Sequence, residues 1–199
     1  MDFDDLIHEA EAPPNRRGKH DGDYERHFRE GAVMVAYAMH LLRTASSNEV
    51  SIHPDGIHGQ QFDFREWLGR RGFSLISSLG RTAYGGNYSD GTGNKITVNP
   101  TPGLGDVVAK AGEGTISAEC KGGIINSRHP GQLSRLDRGL CETIGRLLAS
   151  PSPGRQVAVV PYTECTARLA KRLAPRCAMA GIEIALVKSR GEIIDIRAQ

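Results

Sequence analysis

The stretch GDVVAKAGEGTISAECKGG, residues 105–123, decides the fold. Its two halves, GDVVAK and TISAEC, have the alternating composition of short strands. The turn between them, residues 112–114, contains two glycines, which readily adopt the positive φ that tight hairpin turns need. The stretch therefore predicts two antiparallel strands joined by a short turn.

Three ionisable side chains of this hairpin are expected to converge. Glu119 and Lys121 are two residues apart on one strand, so both leave the same face, and Asp106 on the other strand can lie close to them. Two carboxylates this close repel each other unless a hard cation lies between them, and Mg²⁺ binds through one or two carboxylates plus waters and phosphate oxygens. A nearby ammonium positions or helps to deprotonate the attacking water, or neutralises charge on the phosphate. This combination indicates phosphodiester hydrolysis.

The surroundings of the pair favour this interpretation over a surface ion pair. An E-x-K pair on a strand is more often solvated and worth under about 1 kcal/mol. Here Ile116, Ala118 and Cys120 are expected to form the inward face, with the charged residues on the other face. The strand runs into two glycines, 122–123, which let another backbone approach closely. A surface pair would not need the matching Asp106.

The elements before the hairpin are a helix, a variable region and a loop. Helical spacing of apolar residues predicts a helix from Tyr24 to Arg43, buried on more than one side. FDFREWLGRRG, 62–72, predicts a short amphipathic helix, and FSLISSL, 73–79, a short strand. The glycine-rich residues 81–94 predict a loop, because so much glycine makes regular structure costly.

After the hairpin the order is helix, strand, helix and two strands. The first helix opens at His129-Pro130 and ends at the breaker PSPG, 151–154. In the second helix, which includes TARLAKRLA, Pro175 either kinks the helix or starts a new turn. This order predicts an α/β fold, with a mixed central sheet flanked by helices on both faces. The strands are QVAVVPY, 156–162, then IEIALV and EIIDI on either side of a turn at 189–191.

Length and composition limit the class. The 199 residues are 39% hydrophobic with 24 glycines, which excludes a disordered or coiled-coil chain. Residues 1–23 are polar and lack an apolar period, so we expect a flexible N-terminal arm followed by a single domain at 24–199. The longest apolar run, 32–39, is far below the roughly 20 residues of a membrane span, and the start is acidic where a signal peptide is basic. We therefore expect a cytoplasmic protein with no membrane contact.

Charge and cysteine usage add further limits. Lys and Arg number 25 against 23 for Asp and Glu, a net charge of +2, so nucleic-acid binding would depend on local basic patches. No C-x-x-C pair is present, which excludes a zinc ribbon and a redox motif, and we expect buried, reduced thiols. The strings GxxxxGK[ST] and GxSxG are also absent, so a P-loop NTPase and an α/β-hydrolase lose their usual anchors. The cysteines are Cys120, Cys141, Cys165 and Cys177.

The hairpin residues resemble a known motif. Gly105-Asp106-Val107-Val108, then ten residues, then Glu119-Cys120-Lys121 is similar to the PD-(D/E)xK motif of restriction-endonuclease-like nucleases, with Gly105 in place of the proline. The resemblance covers about residues 24 to 197, because that family has a similar order of elements. It implies a restriction-endonuclease-like core. It also implies that Asp106, Glu119 and the backbone carbonyl of Cys120 are metal ligands and that Lys121 is the catalytic lysine.

The resemblance implies two further catalytic positions. Many members have a Glu on the first helix and a polar residue, often Gln, at the start of the helix after the motif. Glu30 and Gln132 are the matches in this chain. Glu25 is a rival for Glu30, because both faces of the predicted first helix are apolar.

A nuclease must also hold a polyanion. Arg128 and Arg135, on or just before the helix after the motif, are the preferred candidates for phosphate contacts. The basic residues of the later helix, at 168–176, are equally well explained as a solvated helix face. Residues 85–94, with Tyr84 and Tyr88 nearby, could close over substrate or stack bases, although a plain surface loop is the more common outcome.

Together these observations predict a metal-dependent nuclease. We expect it to hydrolyse DNA phosphodiester bonds with Mg²⁺, for which Mn²⁺ can substitute, held by Asp106 and Glu119. The alternative is a catalytically silent nucleic-acid-binding or assembly subunit on the same fold. The residues do not distinguish DNA from RNA. Without a recognisable added DNA-reading domain, specificity is expected to come from a homodimer mate or a partner protein.

Overall fold

The computed structural model describes residues 3–44, 47–112, 114–150 and 154–197. Glu113 of the predicted hairpin turn and residues 151–153 of the predicted breaker lie outside the described residues. Two short 3-10 helices, Asp4–Leu6 and Pro14–Arg16, are present near the N-terminus. In chain order the other elements are β1 (Ile7–Ala10), β2 (Glu25–Phe28), α1 (Glu30–Thr44), β3 (Glu49–Ile52), α2 (Gly56–Gln61), α3 (Phe64–Gly69), β4 (Ser74–Ser78), β5 (Gly86–Ser89), β6 (Lys95–Val98), β7 (Val107–Ala111), β8 (Gly114–Cys120), β9 (Gly123–Ile124), α4 (Pro130–Ala149), β10 (Arg155–Pro161), α5 (Glu164–Met179), β11 (Ile182–Val187) and β12 (Ile193–Ile196).

In the described part of the chain, nine strands form a mixed sheet in the order β12-β11-β10-β8-β7-β3-β6-β5-β4. The pairs β8–β10, β10–β11 and β3–β6 are parallel, and the other neighbours are antiparallel. β7 and β8 pair from Val107↔Ala118 to Ala111↔Gly114, which confirms the predicted hairpin. A smaller sheet has the order β1-β2-β9. The prediction of an α/β fold with a mixed sheet is confirmed.

Helices cover the sheet on both faces where β10 crosses the centre. Val157 and Val159 belong to the core cluster that contains α1. Ala158 and Val160 belong to a second cluster, formed with α4 and α5. Because successive side chains of a strand point to opposite faces, β10 lies between the two helical layers. The apolar run QVAVVPY is therefore the buried central strand that its composition predicts.

The helices after the hairpin match the sequence prediction. His129 caps α4, its Nδ1 accepting a hydrogen bond from the Gly131 N–H at 3.1 Å, and Pro130 is the first helical residue. α5 continues through Pro175 to Met179, so this proline does not end the helix. In the described parts of the chain, no helix has both the length and the apolar character needed to cross a membrane.

The predicted helix 24–43 is shorter than expected at its start. Glu25–Phe28 is instead strand β2, which pairs with β1 on one side and β9 on the other. α1 begins at Glu30. The apolar spacing does not distinguish the two states over these four residues, and pairing with two neighbouring strands decides the outcome because it satisfies the backbone of β2.

The glycine-rich stretch 81–94 contains strand β5, so the prediction of a continuous loop is wrong. β5 pairs with β4 and β6, and Tyr88 on it is 1% exposed. A Cβ on Gly86 would lie 2.8 Å from the Ser77 carbonyl oxygen of β4. Glycine here permits a close approach between backbones, and burial of one tyrosine outweighs the low strand propensity.

Residues 3–23, which the sequence predicts to be a flexible arm, pack onto the domain instead. Phe3 and Leu6 are buried in the main core cluster, and the Phe3 ring lies 5.3 Å from the Trp67 ring between centroids. β1 pairs with β2 over four residues. These isolated apolar residues show no period in the sequence, and their burial depends on a surface formed by distant parts of the chain.

The cysteines are partly as predicted. All four are free in the described structure, and Cys120 and Cys177 are buried. Cys141 is exposed on α4, and Cys165 is half-buried with its thiol 3.3 Å from Asp137 Oδ2. The expectation of four buried thiols is therefore wrong for Cys141 and Cys165, because neither lies on the buried stripe of its helix and the Cys165 thiol faces Asp137 of α4.

Candidate active site

The end of the β7–β8 hairpin opposite its turn brings two carboxylates together. Asp106 directly precedes β7, and Glu119 is the penultimate residue of β8. The register pairs Val107 with Ala118, so the next step along the ladder places Asp106 across from Glu119. Val107 and Ala118 are buried, and the two carboxylates are on the opposite face, as the sequence predicts.

Two backbone N–H groups from neighbouring segments hold Asp106 in place. Its Oδ2 accepts a hydrogen bond from the Cys120 N–H at 2.7 Å, and its backbone carbonyl accepts one from the His53 N–H at 2.8 Å. Burial raises the pKa of Asp106 to about 7, against the opposing effect of the Cys120 hydrogen bond. The charges of Glu119 and Glu30 act in the same direction as burial. A carboxyl group perturbed in this way is typical of a functional site.

Glu119 is the second carboxylate of the pair. Its side chain is 16% exposed, and its Oε2 lies 3.6 Å from Arg146 Nη1. Burial raises the pKa of Glu119, and the positive charge of Arg146 opposes the increase. Both carboxyl groups of the hairpin end therefore bind protons more tightly than usual, a tendency that a nearby cation would reverse.

Lys121 follows the last residue of β8 and has two acidic neighbours. Its Nζ lies 3.2 Å from Glu30 Oε2 and 3.6 Å from Glu142 Oε1. Burial by itself lowers the pKa of Lys121, but the charge of Glu30 and its hydrogen bond raise the pKa above its usual value overall. Lys121 is therefore protonated at neutral pH. This state suits neutralisation of charge on a phosphate, and it does not suit removal of a proton from water.

Two glycines set the position of Lys121. A Cβ on Gly122 would lie 2.6 Å from the Glu30 nitrogen and would collide with the Phe28 carbonyl oxygen. The chain after Lys121 therefore passes directly against the start of α1. This agrees with the close approach that the sequence predicts at Gly122 and Gly123. A Cβ on Gly139 would lie 3.4 Å from Lys121 Cβ, so the lysine stem packs on α4.

Gly105 occupies the position where the PD-(D/E)xK motif has proline. A Cβ on Gly105 would lie 2.9 Å from the carbonyl oxygen of Ala118 and 3.3 Å from its nitrogen. Both atoms belong to the backbone of β8, so they cannot move aside as the end of a flexible side chain could. Glycine therefore lets the start of β7 approach β8 closely.

The structure brings Glu30 to Lys121 and places Glu25 elsewhere. Glu30 is the first residue of α1 and is 7% exposed. Glu25 is on β2, 1% exposed, and its two carboxylate oxygens accept hydrogen bonds from Arg16 Nε at 2.7 Å and Nη2 at 3.0 Å. The Arg16 hydrogen bonds lower the pKa of Glu25. Glu25 belongs to a structural ion pair, so Glu30 is the candidate at the first helix.

Sequence reasoning missed two residues of α4 that belong to the site. Arg146 Nη2 donates a hydrogen bond to Glu142 Oε1 at 2.8 Å. Glu142 contacts Lys121, and Arg146 contacts Glu119. The available signal is the spacing: Glu142 and Arg146 are four residues apart on a predicted helix, and Gly139 precedes Glu142 by three, so all three share one helix face. The motif residues Asp106, Glu119 and Lys121 do not indicate that this face of α4 belongs to the site.

The remaining predicted residues lie near the start of α4. Gln132 is buried in the first turn and lines a cavity together with Glu30 and the exposed Arg135. Arg128 forms an ion pair with Asp21, and both side chains are mostly exposed. The cations of α5 are all exposed, as a solvated helix face requires: Arg168, Lys171, Arg172 and Arg176.

The donor set at the hairpin end fits a hard divalent cation. Among the residues that the structure describes, no three His, Cys, Asp or Glu side chains are grouped as metal ligands. A magnesium site needs fewer, because Mg²⁺ takes one or two carboxylates plus waters and phosphate oxygens. Asp106 and Glu119 supply the two carboxylates, and the charge of Glu119 raises the pKa of Asp106. Such a cation would neutralise this pair.

Comparison with protein-family models, with curated proteins and with solved structures finds no match to this chain. The geometry of the site is therefore what indicates the function. In that geometry, Asp106 and Glu119 lie across from each other at one end of the central hairpin, and the protonated Lys121 beside them contacts Glu30.

Proposed function

We propose that the protein is a metal-dependent nuclease of the PD-(D/E)xK type that hydrolyses phosphodiester bonds in DNA. The convergence of Asp106, Glu119 and Lys121 at the open end of the β7–β8 hairpin carries the proposal. The order of elements after this hairpin, α4, β10, α5 and β11, is similar to that of a restriction-endonuclease-like core and supports it.

Each residue has a role that follows from its position. Asp106 and Glu119, with the backbone carbonyl of Cys120, would hold Mg²⁺ or Mn²⁺. Such an ion, when bound, lowers the pKa of a water molecule and polarises a phosphoryl oxygen. The Cys120 N–H fixes the orientation of the Asp106 carboxylate. The Lys121 ammonium, positioned by Glu30, would neutralise the charge that develops on the phosphate.

In this proposal Lys121 does not act as a general base. Glu30 keeps Lys121 protonated, so its contribution is electrostatic and should appear in the rate of the chemical step. Arg146 beside Glu119 and Glu142 beside Lys121 would hold both groups in place before substrate binds. A homodimer that cuts both strands of a duplex remains part of the proposal.

The test is plasmid nicking under single-turnover conditions with Mg²⁺ or Mn²⁺, comparing the parent with Lys121→Ala. We expect Lys121→Ala to reduce the rate by roughly 10²-fold or more, the size seen when a preorganised charge-stabilising group is lost. DNA affinity measured in Ca²⁺ should stay close to that of the parent. Lys110→Ala is the matched control, because Lys110 is an exposed lysine of the same hairpin, and it should cleave at the parental rate.

Two results would overturn the catalytic proposal. One is cleavage by Lys121→Ala at the parental rate. The other is the failure of the parent to cleave DNA or RNA with any divalent ion. In either case the catalytically silent nucleic-acid-binding or assembly subunit becomes the better account of the same fold.

A further inference from the structure

A cavity of about 350 Å³ lies next to the candidate active site. Its walls come from the 3-10 helix Pro14–Arg16, β2, the start of α1, the end of α2, β9 and the first two turns of α4. Glu30 is common to both places, because it lines the cavity and its Oε2 contacts Lys121 Nζ. Gly122 and Gly123 also line it, so the cavity begins where the chain leaves the catalytic strand.

Three arginines line this cavity: Arg16, Arg29 and Arg135. Arg16 is neutralised by Glu25. Arg29 donates a hydrogen bond to the Gln61 carbonyl oxygen, and Arg135 is exposed. In the described ranges, no carboxylate is within ion-pair distance of Arg29 or Arg135. Because Glu30 is itself paired with Lys121, the cavity favours a negatively charged ligand.

Gln132 adds a polar side chain to the cavity wall. Its side chain is 7% exposed and lines the cavity. Its backbone N–H donates to the His129 carbonyl oxygen. An amide on the wall of a cavity, beside two guanidinium groups, can donate a hydrogen bond to an acceptor that enters the cavity.

We propose that this cavity binds a phosphate group of the nucleic acid, next to the phosphodiester bond that is cut. The inference rests on the proposed function. Guanidinium N–H groups and an amide N–H match the oxygens of a phosphate, and such charge-assisted hydrogen bonds are the strong ones. The phosphate has the same chemistry whether it ends a strand or lies within it, and the experiment distinguishes the two sources.

The first measurement uses inorganic phosphate as the probe, titrated into the protein without metal and followed by NMR. Arg135→Ala and Gln132→Ala should each weaken binding by about tenfold, the effect of one hydrogen bond to a charged group. Arg138→Ala is the control, since Arg138 is an exposed arginine three residues further along α4 that does not line the cavity. Arg16 is not a suitable variant, because its loss would remove the guanidinium from the buried Glu25.

The second measurement uses DNA duplexes bound in Ca²⁺. One set carries or lacks terminal phosphates, and another carries a single neutral methylphosphonate at successive internal positions. The loss of affinity caused by Arg135→Ala should vanish when one particular phosphate is removed or neutralised. If that phosphate is terminal, the cavity binds a strand end, and if it is internal, the cavity binds the continuous backbone. Equal weakening of every probe by Arg135→Ala and Arg138→Ala would overturn the inference.

The two proposals fail in different ways. If the parent cleaves DNA and Arg135→Ala behaves like Arg138→Ala with every probe, the phosphate cavity is wrong and the nuclease stands. If phosphate binds and is lost in Arg135→Ala while the parent cleaves nothing, the cavity is a phosphate site and the catalytic proposal is wrong. If phosphate does not bind and no DNA probe singles out Arg135, the cavity proposal is overturned whatever the cleavage result.

Discussion

Two largely buried carboxyl groups of this protein have opposite environments. Glu25 receives two hydrogen bonds from the Arg16 guanidinium, at 2.7 and 3.0 Å, and its pKa is lowered. Asp106 receives one from the Cys120 N–H and lies beside Glu119, and its pKa is raised to about 7. A carboxylate that serves stability is neutralised within the protein, whereas one left beside a like charge is typical of a site that binds something else.

The same comparison of partners separates Glu25 from Glu30, although the two are only five residues apart. Both are acidic, and both are almost completely buried. Glu25 is on β2 and holds the N-terminal segment through Arg16, whereas Glu30 begins α1 and contacts Lys121. A side chain's partners, and not its burial, therefore separate the structural region from the candidate catalytic one.

The largest effect is expected where the two regions meet, at Gly122. In Gly122→Ala the new Cβ would collide with the backbone between β2 and α1. We expect the free energy of unfolding to fall by about 3 kcal/mol, with loss of activity as Glu30 moves from Lys121. Urea unfolding measures this. Gly145→Ala is the control, since nothing lies within 4 Å of a Cβ there, and it should stabilise α4 by about 0.5–1 kcal/mol. A Gly122→Ala protein as stable as the parent would contradict the close approach.

Removal of the cation from the structural pair should have a somewhat smaller effect. Arg16→Ala leaves Glu25 buried without its guanidinium, and we expect the free energy of unfolding to fall by about 2–3 kcal/mol. Arg26→Ala breaks the Arg26–Glu9 pair, in which both side chains are about half exposed, and should cost under about 1 kcal/mol. Thermal unfolding compares the two variants. Equal losses would show that Glu25 is not the structural carboxylate described above.

The contributions of Asp106 and Glu25 to stability should also change with pH in opposite directions. The pKa of Asp106 is about 7 in the folded protein, above its usual value, so its contribution to stability is present at low pH and lost as pH rises through 7. In metal-free buffer, Asp106→Asn should therefore gain stability relative to the parent as the pH rises from about 4 to about 8. The contribution of Glu25, whose pKa is lowered, is lost as pH falls instead. An Asp106→Asn protein that keeps the pH profile of the parent would contradict the raised pKa.

The elements around the hairpin could be predicted because their signals are local. The turn glycines, the alternating strand TISAEC and Pro130 at the start of α4 depend on a few neighbouring residues. The β5 strand and the packing of Phe3 could not, because they depend on contacts with residues far along the chain. Tyr88 is buried despite the glycines that surround it.

The candidate site divides in the same way. Asp106, Glu119 and Lys121 could be placed together from strand spacing and pairing alone. Glu142 and Arg146 could not, since their contacts depend on how α4 packs across β8. The cavity beside the site could not be predicted either, because residues from several separate elements form its walls only after the chain has folded.

The most direct test of the account is a calorimetric titration of Mn²⁺ into the purified protein, followed by thermal unfolding. We expect the parent to bind the ion, and about 1.4 kcal/mol of stabilisation when Mn²⁺ is at tenfold its Kd. Asp106→Asn and Glu119→Gln should lose both effects. Glu142→Gln, which removes a neighbouring carboxylate not proposed as a ligand, should keep them. Binding that is unchanged in Asp106→Asn and Glu119→Gln, or absent from the parent, would contradict the claim that these carboxylates form a metal site.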